Sequence, residues 1–291
     1  MRTIHAIPSM ILLVVFFLIS ASAQQKPKLN DNAALRYFAA FAEMQDSAIT
    51  DEQAKALNGI LDGTVPYDDS KYKDLVEKNK PALELMARGT ALPNCDWGLD
   101  YQLGEDTPVD YARKALTLGR LNVLYAFHLQ IVHDNDAAVR ALVAGLRFSH
   151  DVANGGSLFA TLAARDLLAT HFRAVAFSLQ VVGLSPAQRL LLQKAIAQLE
   201  PTGLDWQSAT RRDLEVLRGH FAKDQKVSAA LTQITPIYIG TLNDPSELPA
   251  LQQVLASAPQ QLSEVIPNPK RVLEEKQDFT DKLVQVRSLL Q

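Results

Sequence analysis

Within eleven residues, Asp96, Asp100, Glu105 and Asp106 place four carboxylates beside the indole of Trp97 and the phenol of Tyr101. Carboxylates orient hydroxyl groups or hold a cation, and aromatic rings lie against the apolar face of a sugar. One reading of this stretch is therefore a cation or saccharide site built from Asp96, Trp97, Asp100 and Tyr101. An EF-hand is excluded, because Gly98 and Gly104 do not fall where that loop needs its turn glycine. The competing reading is structural. Cys95 and Trp97 point inward as a plug, Asp96 caps a turn, and Gly98 supplies a positive φ. From the residues alone both readings stand.

Other chemistry is thinner. Arg113 and Arg120 are seven residues apart and share a helix face that begins near the acidic stretch. A buried guanidinium needs a partner, so Asp96 or Asp100 is expected to pair with one of them. Arg165 and Asp166, with His171 and Arg173 nearby, are further charged residues in an apolar run and are ion-pair candidates. His128 and His133 are five apart, about 140° round a helix, so they do not form the i, i+4 pair that binds zinc. No catalytic residue, metal site or cofactor is assigned. The chain has no G-x-S-x-G and no glycine-rich phosphate loop, and Gly155-Gly156-Ser157 reads as a plain turn. The single cysteine, Cys95, rules out a disulfide framework or a cysteine zinc module and reads as a buried thiol.

The elements that must position these groups read as helices. Leu35, Phe38, Phe41 and Ala42 stripe a segment from about 32 to 45, and Thr50 with Gln53 forms a capping box for a second. A third spans about 70 to 88, where Pro81 is expected to kink or split it. The stretch 89–107 reads as an ordered loop. Thr107-Pro108 is expected to cap a helix to about His133 that is apolar on nearly every face, hence central. A return helix follows over 137–152, then the apolar run 157–182, read as a soluble core helix because three charges near its middle oppose insertion. Ser185-Pro186 and Asp205 open two more. From 225 to 269 six prolines are expected to allow only short helices and connectors, before a terminal helix from about Lys270. No run alternates convincingly beyond Ile234–Ile239, so the fold class is all-α: helical hairpins in one globular or short solenoid-like array around two apolar central helices.

The N-terminus carries Arg2, ten unbroken apolar residues from Met10 to Ile19, and Ala21-Ser22-Ala23, the order of an export signal cut after Ala23. Ten residues rise about 15 Å as a helix, too short to span a bilayer. The expected organisation is a signal at 1–23, a linker at 24–30, a main helical domain at 31–224, a proline-rich connector at 225–269 and a C-terminal helix at 270–291. Of 291 residues 47% are apolar, and the formal charge is −3. Loss of Arg2 with the signal leaves 28 basic against 32 acidic residues, a net charge of −4. That composition excludes a disordered chain and offers no basic face to nucleic acid.

The segment Cys95-Asp96-Trp97-Gly98-Leu99-Asp100-Tyr101, followed by Lys114, Ala115, Leu118 and Arg120, resembles a group of uncharacterised exported bacterial proteins of planctomycete and acidobacterial type. They share a C-D-W-G-x-D-Y-like loop and a helix rich in Leu, Ala and Arg. The resemblance implies a helical fold and export, and brings no activity. The hairpin 115–152, with Ala137, Ala138, Ala141 and Ala144 at close-packing positions, is faintly similar to a tetratricopeptide unit, without a second copy at that period. The expectation is an exported, periplasmic or extracellular, non-catalytic binding or scaffold protein. Its partner is an unknown protein or envelope component, and it is not an integral membrane protein once the signal is removed. The alternative is an exported hydrolase with the Asp96–Asp106 loop rimming its pocket.

Overall fold

The Asn32 side chain accepts from the Ala34 N–H and opens α1 (Ala33–Glu43). The Thr50/Gln53 box, with both of its hydrogen bonds made, opens α2 (Asp51–Leu61), and Asp68 caps α3 (Asp69–Thr90). A 3-10 turn at Tyr101–Asp106 leads into α4 (Tyr111–Ile131), α5 (Asn135–Ala153) and α6 (Leu158–Val181). Then come α7 (Pro186–Ala197), α8 (Trp206–His220), α9 (Gln225–Asn243), α10 (Leu248–Ala256), α11 (Gln260–Val265) and α12 (Pro269–Leu290). The computed structural model describes residues 31–45, 49–107, 109–199 and 203–291, excluding the side chains of 104–106. The expected signal and linker, 1–30, the helix-start Pro108 and the carboxylates of Glu105 and Asp106 lie outside the described residues. Among those described there is no strand, only an isolated bridge from Asn32 to Asn94. The fold is all-α.

Residue pairs fix the central packing. Tyr111 meets Val152 and Asn122 meets Ala141, so α4 and α5 run antiparallel. Asn122 meets His171 and Gln130 meets Ser178, so α4 and α6 run parallel with α5 alongside both. Their apolar faces join one buried core with α1, α3 and α12. The arginine side chains of α6 reach neighbouring helices. Arg165 contacts Asp166 and Glu275 at 2.6 Å each and also Asp278, binding α6 to α12. Arg173 contacts Asp62 at 2.9 Å and holds α2. No helix among the described residues is long and apolar enough to cross a membrane.

The proline expectations are corrected in part. Pro81 neither splits nor ends α3, and Pro236 lies inside the 19-residue α9, in a stretch expected to hold only short helices. Both prolines are exposed, as are Glu77 and Thr232 four residues before them, so the carbonyl each proline leaves unbonded faces water. On the opposite side of α9, Val227, Leu231, Ile234 and Tyr238 are buried, and their burial outweighs a proline penalty of about 3 kcal/mol. The Thr107 cap is also corrected. Its hydroxyl donates to the Asp100 carbonyl at 3.1 Å, closing the 3-10 turn, and α4 begins at Tyr111 instead.

One polar cluster lies inside the central three helices. His171 is fully buried, and its Nδ1 is 2.8 Å from the Leu167 carbonyl, which requires the proton there. Nε2 then accepts from Asn122 Nδ2 at 3.2 Å, while the second amide hydrogen goes to the Ala141 carbonyl. Gly145 makes room for this arrangement: a Cβ on it would lie 2.1 Å from His171 Nε2 and 2.3 Å from Asn122 Nδ2. Burial lowers the His171 pKa from 6.5 to about 4. The folded protein therefore refuses a proton that the unfolded chain accepts, and stability falls as pH drops from 6.5 toward 4. Between pH 7 and pH 5 this group is expected to remove about 2 kcal/mol. Urea titrations at the two pH values check it, because the His171→Gln variant should show a difference smaller by that amount.

Candidate functional site

The last carbonyls of a helix have no partner within it. At the end of α5 these are met by donors from the Cys95–Tyr101 stretch and the start of α4. Trp97 Nε1 donates to the Asp151 carbonyl at 2.8 Å, and the Tyr111 hydroxyl to Val152 at 2.9 Å. The Tyr101 hydroxyl donates to the Gly155 carbonyl. A Cβ on Gly155 would fall 1.7 Å from the Tyr111 oxygen, so the glycine is what lets this ring approach. The Trp97 indole is only 4% exposed. It stacks on Tyr111 at 4.0 Å between centroids and lies parallel to Phe41 at 6.1 Å, with Phe38 edge-on at 5.3 Å. The motif is thus an aromatic clamp that joins α1 and α4 to the end of α5.

The polar residues around Trp97 serve the same clamp. Asp96 Oδ1 accepts from the Gly98 N–H at 2.9 Å, while Asn32 takes both the Asp96 N–H and its carbonyl. Gly98 has a φ of +64°, the left-handed conformation this turn needs. Asp100 Oδ1 accepts from Gln102 N–H at 2.9 Å and starts the 3-10 turn. Cys95 is half-buried, with its thiol 3.7 Å from the Asp151 carbonyl. Burial, reinforced by the Asp151 charge, pushes this thiol well above its ordinary pKa, so it stays protonated and is a poor nucleophile.

Beneath the clamp lies a buried carboxylate that the sequence did not single out. Asp151 is fully buried, and its side chain accepts from the Tyr37 hydroxyl at 2.7 Å and meets Arg147 Nε at 3.1 Å. Burial raises its pKa, and the hydrogen bond from Tyr37 and the charge of Arg147 oppose that rise. Among the described residues neither Arg113 nor Arg120 forms an ion pair with Asp96 or Asp100. Arg113 is exposed and Arg120 half-buried, and the cation that ties this region together is Arg147. Its spacing of four residues from Asp151 on one helix was the available signal. Arg165 and Asp166, by contrast, do contact one another, at the α12 side and far from the loop in sequence.

Of the four loop residues read as ligand candidates, the structure separates two from two. Trp97 is internal and Asp96 is committed to its turn. Asp100 and Tyr101 instead line a surface groove of about 760 Å³ with Leu99, Leu103, Arg212 and Glu215. The Arg212 guanidinium carbon stands 5.1 Å from the Tyr101 ring centroid, a cation–π contact. Behind Arg212, Asp213 accepts the Leu158 N–H at 3.1 Å at the start of α6. Burial pushes its carboxyl up to about 6, against the opposing effect of that hydrogen bond. The Asp213 charge also helps burial raise the Tyr101 and Tyr238 hydroxyls. Among the described residues no cluster of three or more His, Cys, Asp or Glu is placed to hold a metal ion.

Fold and geometry together define the class: an all-α protein of packed hairpins whose aromatic clamp carries a tyrosine to the floor of an open polar groove. No protein-family model, curated protein or solved structure matches the chain.

Proposed function

We propose that this chain is an exported, non-catalytic binding protein, and that its ligand is an envelope saccharide or a similar polyhydroxy molecule seated in the Tyr101 groove. The observation that carries this reading is the fixing of Tyr101. Its hydroxyl is held by Gly155 and its ring by Arg212, so an aromatic platform is presented without the entropy of a free side chain. Asp100 and Glu215 border it with acceptors for hydroxyl groups. Trp97 and Asp96 are engaged within the clamp and are not available to the ligand. The hydrolase reading lacks such support: Asp213, whose carboxyl burial pushes up to about 6, is not among the residues lining the groove and accepts the Leu158 N–H instead.

The test is the mass of the protein recovered from its own compartment, under native and then denaturing conditions. The expected result is a polypeptide beginning at Gln24 with added mass that denaturation releases. A bare polypeptide in both states contradicts the ligand, and a chain retaining residues 1–23 contradicts cleavage of the signal. A released ligand that is cleaved on incubation with fresh wild-type protein would replace binding by hydrolysis.

A further inference from the structure

A second groove, of about 550 Å³, lies on the other face of α5. Arg140, Val143, Ala144 and Arg147 form one stripe along it, and Leu92, Pro93 and Leu191 close the sides. The two arginines are seven residues apart, about 10 Å along the helix axis. They are in different states. Arg147 is tethered through Nε to the buried Asp151, so its guanidinium is fixed while its Nη groups have no described partner. Arg140 is exposed and forms no ion pair among the described residues. Asp136, one turn earlier, is engaged by the Gln188 amide at 2.7 Å instead. Among the described residues no carboxylate lines the groove. Between the charges the surface is apolar, and Leu191 is 48% exposed there.

Two cations over an apolar trough call for a ligand with an anionic head and an apolar body. Guanidinium binds carboxylate or phosphate oxygens through paired N–H groups, and one side of the pair is already ordered here by Asp151. A simple anion would leave Val143 and Leu191 exposed, and a neutral chain would leave both guanidiniums unmatched. We infer that this groove binds a small anionic amphiphile, a single acyl chain ending in a carboxylate or phosphate, with its head on Arg147 and Arg140 and its chain along Leu92, Val143 and Leu191. The site is separate from the Tyr101 groove and does not rest on the function proposed for it.

Calorimetric titration with dodecanoate below its micelle concentration tests this, with inorganic phosphate, dodecyl maltoside and anionic phospholipid vesicles as comparisons. Arg140→Gln and Leu191→Asp are the variants, both at exposed positions, and a thermal melt confirms that each is folded. The expected result is saturable 1:1 binding of dodecanoate that weakens at least tenfold in each variant. Equal affinity for dodecyl maltoside or for phosphate alone would overturn the inference. So would dodecanoate binding unchanged in both variants, no dodecanoate binding at all, or binding to vesicles without binding to monomeric dodecanoate.

Discussion

Trp97→Ala is expected to cost about 3–5 kcal/mol of folding stability, as truncation of a large buried side chain does. The removed indole fills the space between Tyr37, Phe38, Phe41 and Tyr111, and these rings belong to helices that cannot close independently of one another. The substitution also leaves the Asp151 carbonyl without its 2.8 Å donor. Trp97→Phe separates the two losses, because it keeps a ring and removes the N–H. It is expected to cost about 1–2 kcal/mol, near the value of a buried hydrogen bond with some lost packing. Urea unfolding followed by circular dichroism measures both. A folded Trp97→Ala protein within about 0.5 kcal/mol of wild type would mean the loop lies on the surface.

Asp151→Ala is the second large effect, about 2–3 kcal/mol, since it leaves the fully buried Tyr37 hydroxyl without its acceptor. The stranded group is the Tyr37 hydroxyl, which has no other described acceptor, whereas the Arg147 guanidinium, 36% exposed, turns to water. Asp151→Asn should be much milder. Its amide oxygen still accepts from Tyr37, and burial already disfavours the charge it removes, as the raised pKa of the carboxyl indicates. The ordering wild type, Asn, then Ala in urea midpoint checks this. An Asn variant as unstable as the Ala variant would show that the charge, and not the hydrogen bond, holds the end of α5.

What could be read from the sequence was what depends on near neighbours. The capping boxes Thr50/Gln53 and Ser185/Gln188 both form, because each needs only residues three apart. The all-apolar character of α4 and α6 marked them as central for the same reason. The continuity of α3 and α9 through Pro81 and Pro236 was not legible, because it depends on which side of each helix faces water, a tertiary fact. The loop was legible as a special place but not in its role. Choosing between plug and ligand site requires knowing that the α5 carbonyls end opposite Trp97 and Tyr111. The expected pairing of Arg113 or Arg120 with Asp96 or Asp100 used the correct rule, that a buried charge finds a partner, on the wrong charges. Asp151 was the buried one, and its cation lay four residues away.

The central claim is a division of labour within one short motif: Trp97 holds the fold together, and Tyr101 with Arg212 faces the ligand. The most direct measurement compares Trp97→Phe with Arg212→Ala for both unfolding free energy and the mass retained under native conditions. The expected result is that Trp97→Phe loses stability and keeps the bound mass. Arg212→Ala, an exposed side chain, should stay within about 0.5 kcal/mol of wild type and lose that mass. A stable Trp97→Phe protein that releases the ligand, beside an Arg212→Ala protein that retains it, would contradict the claim.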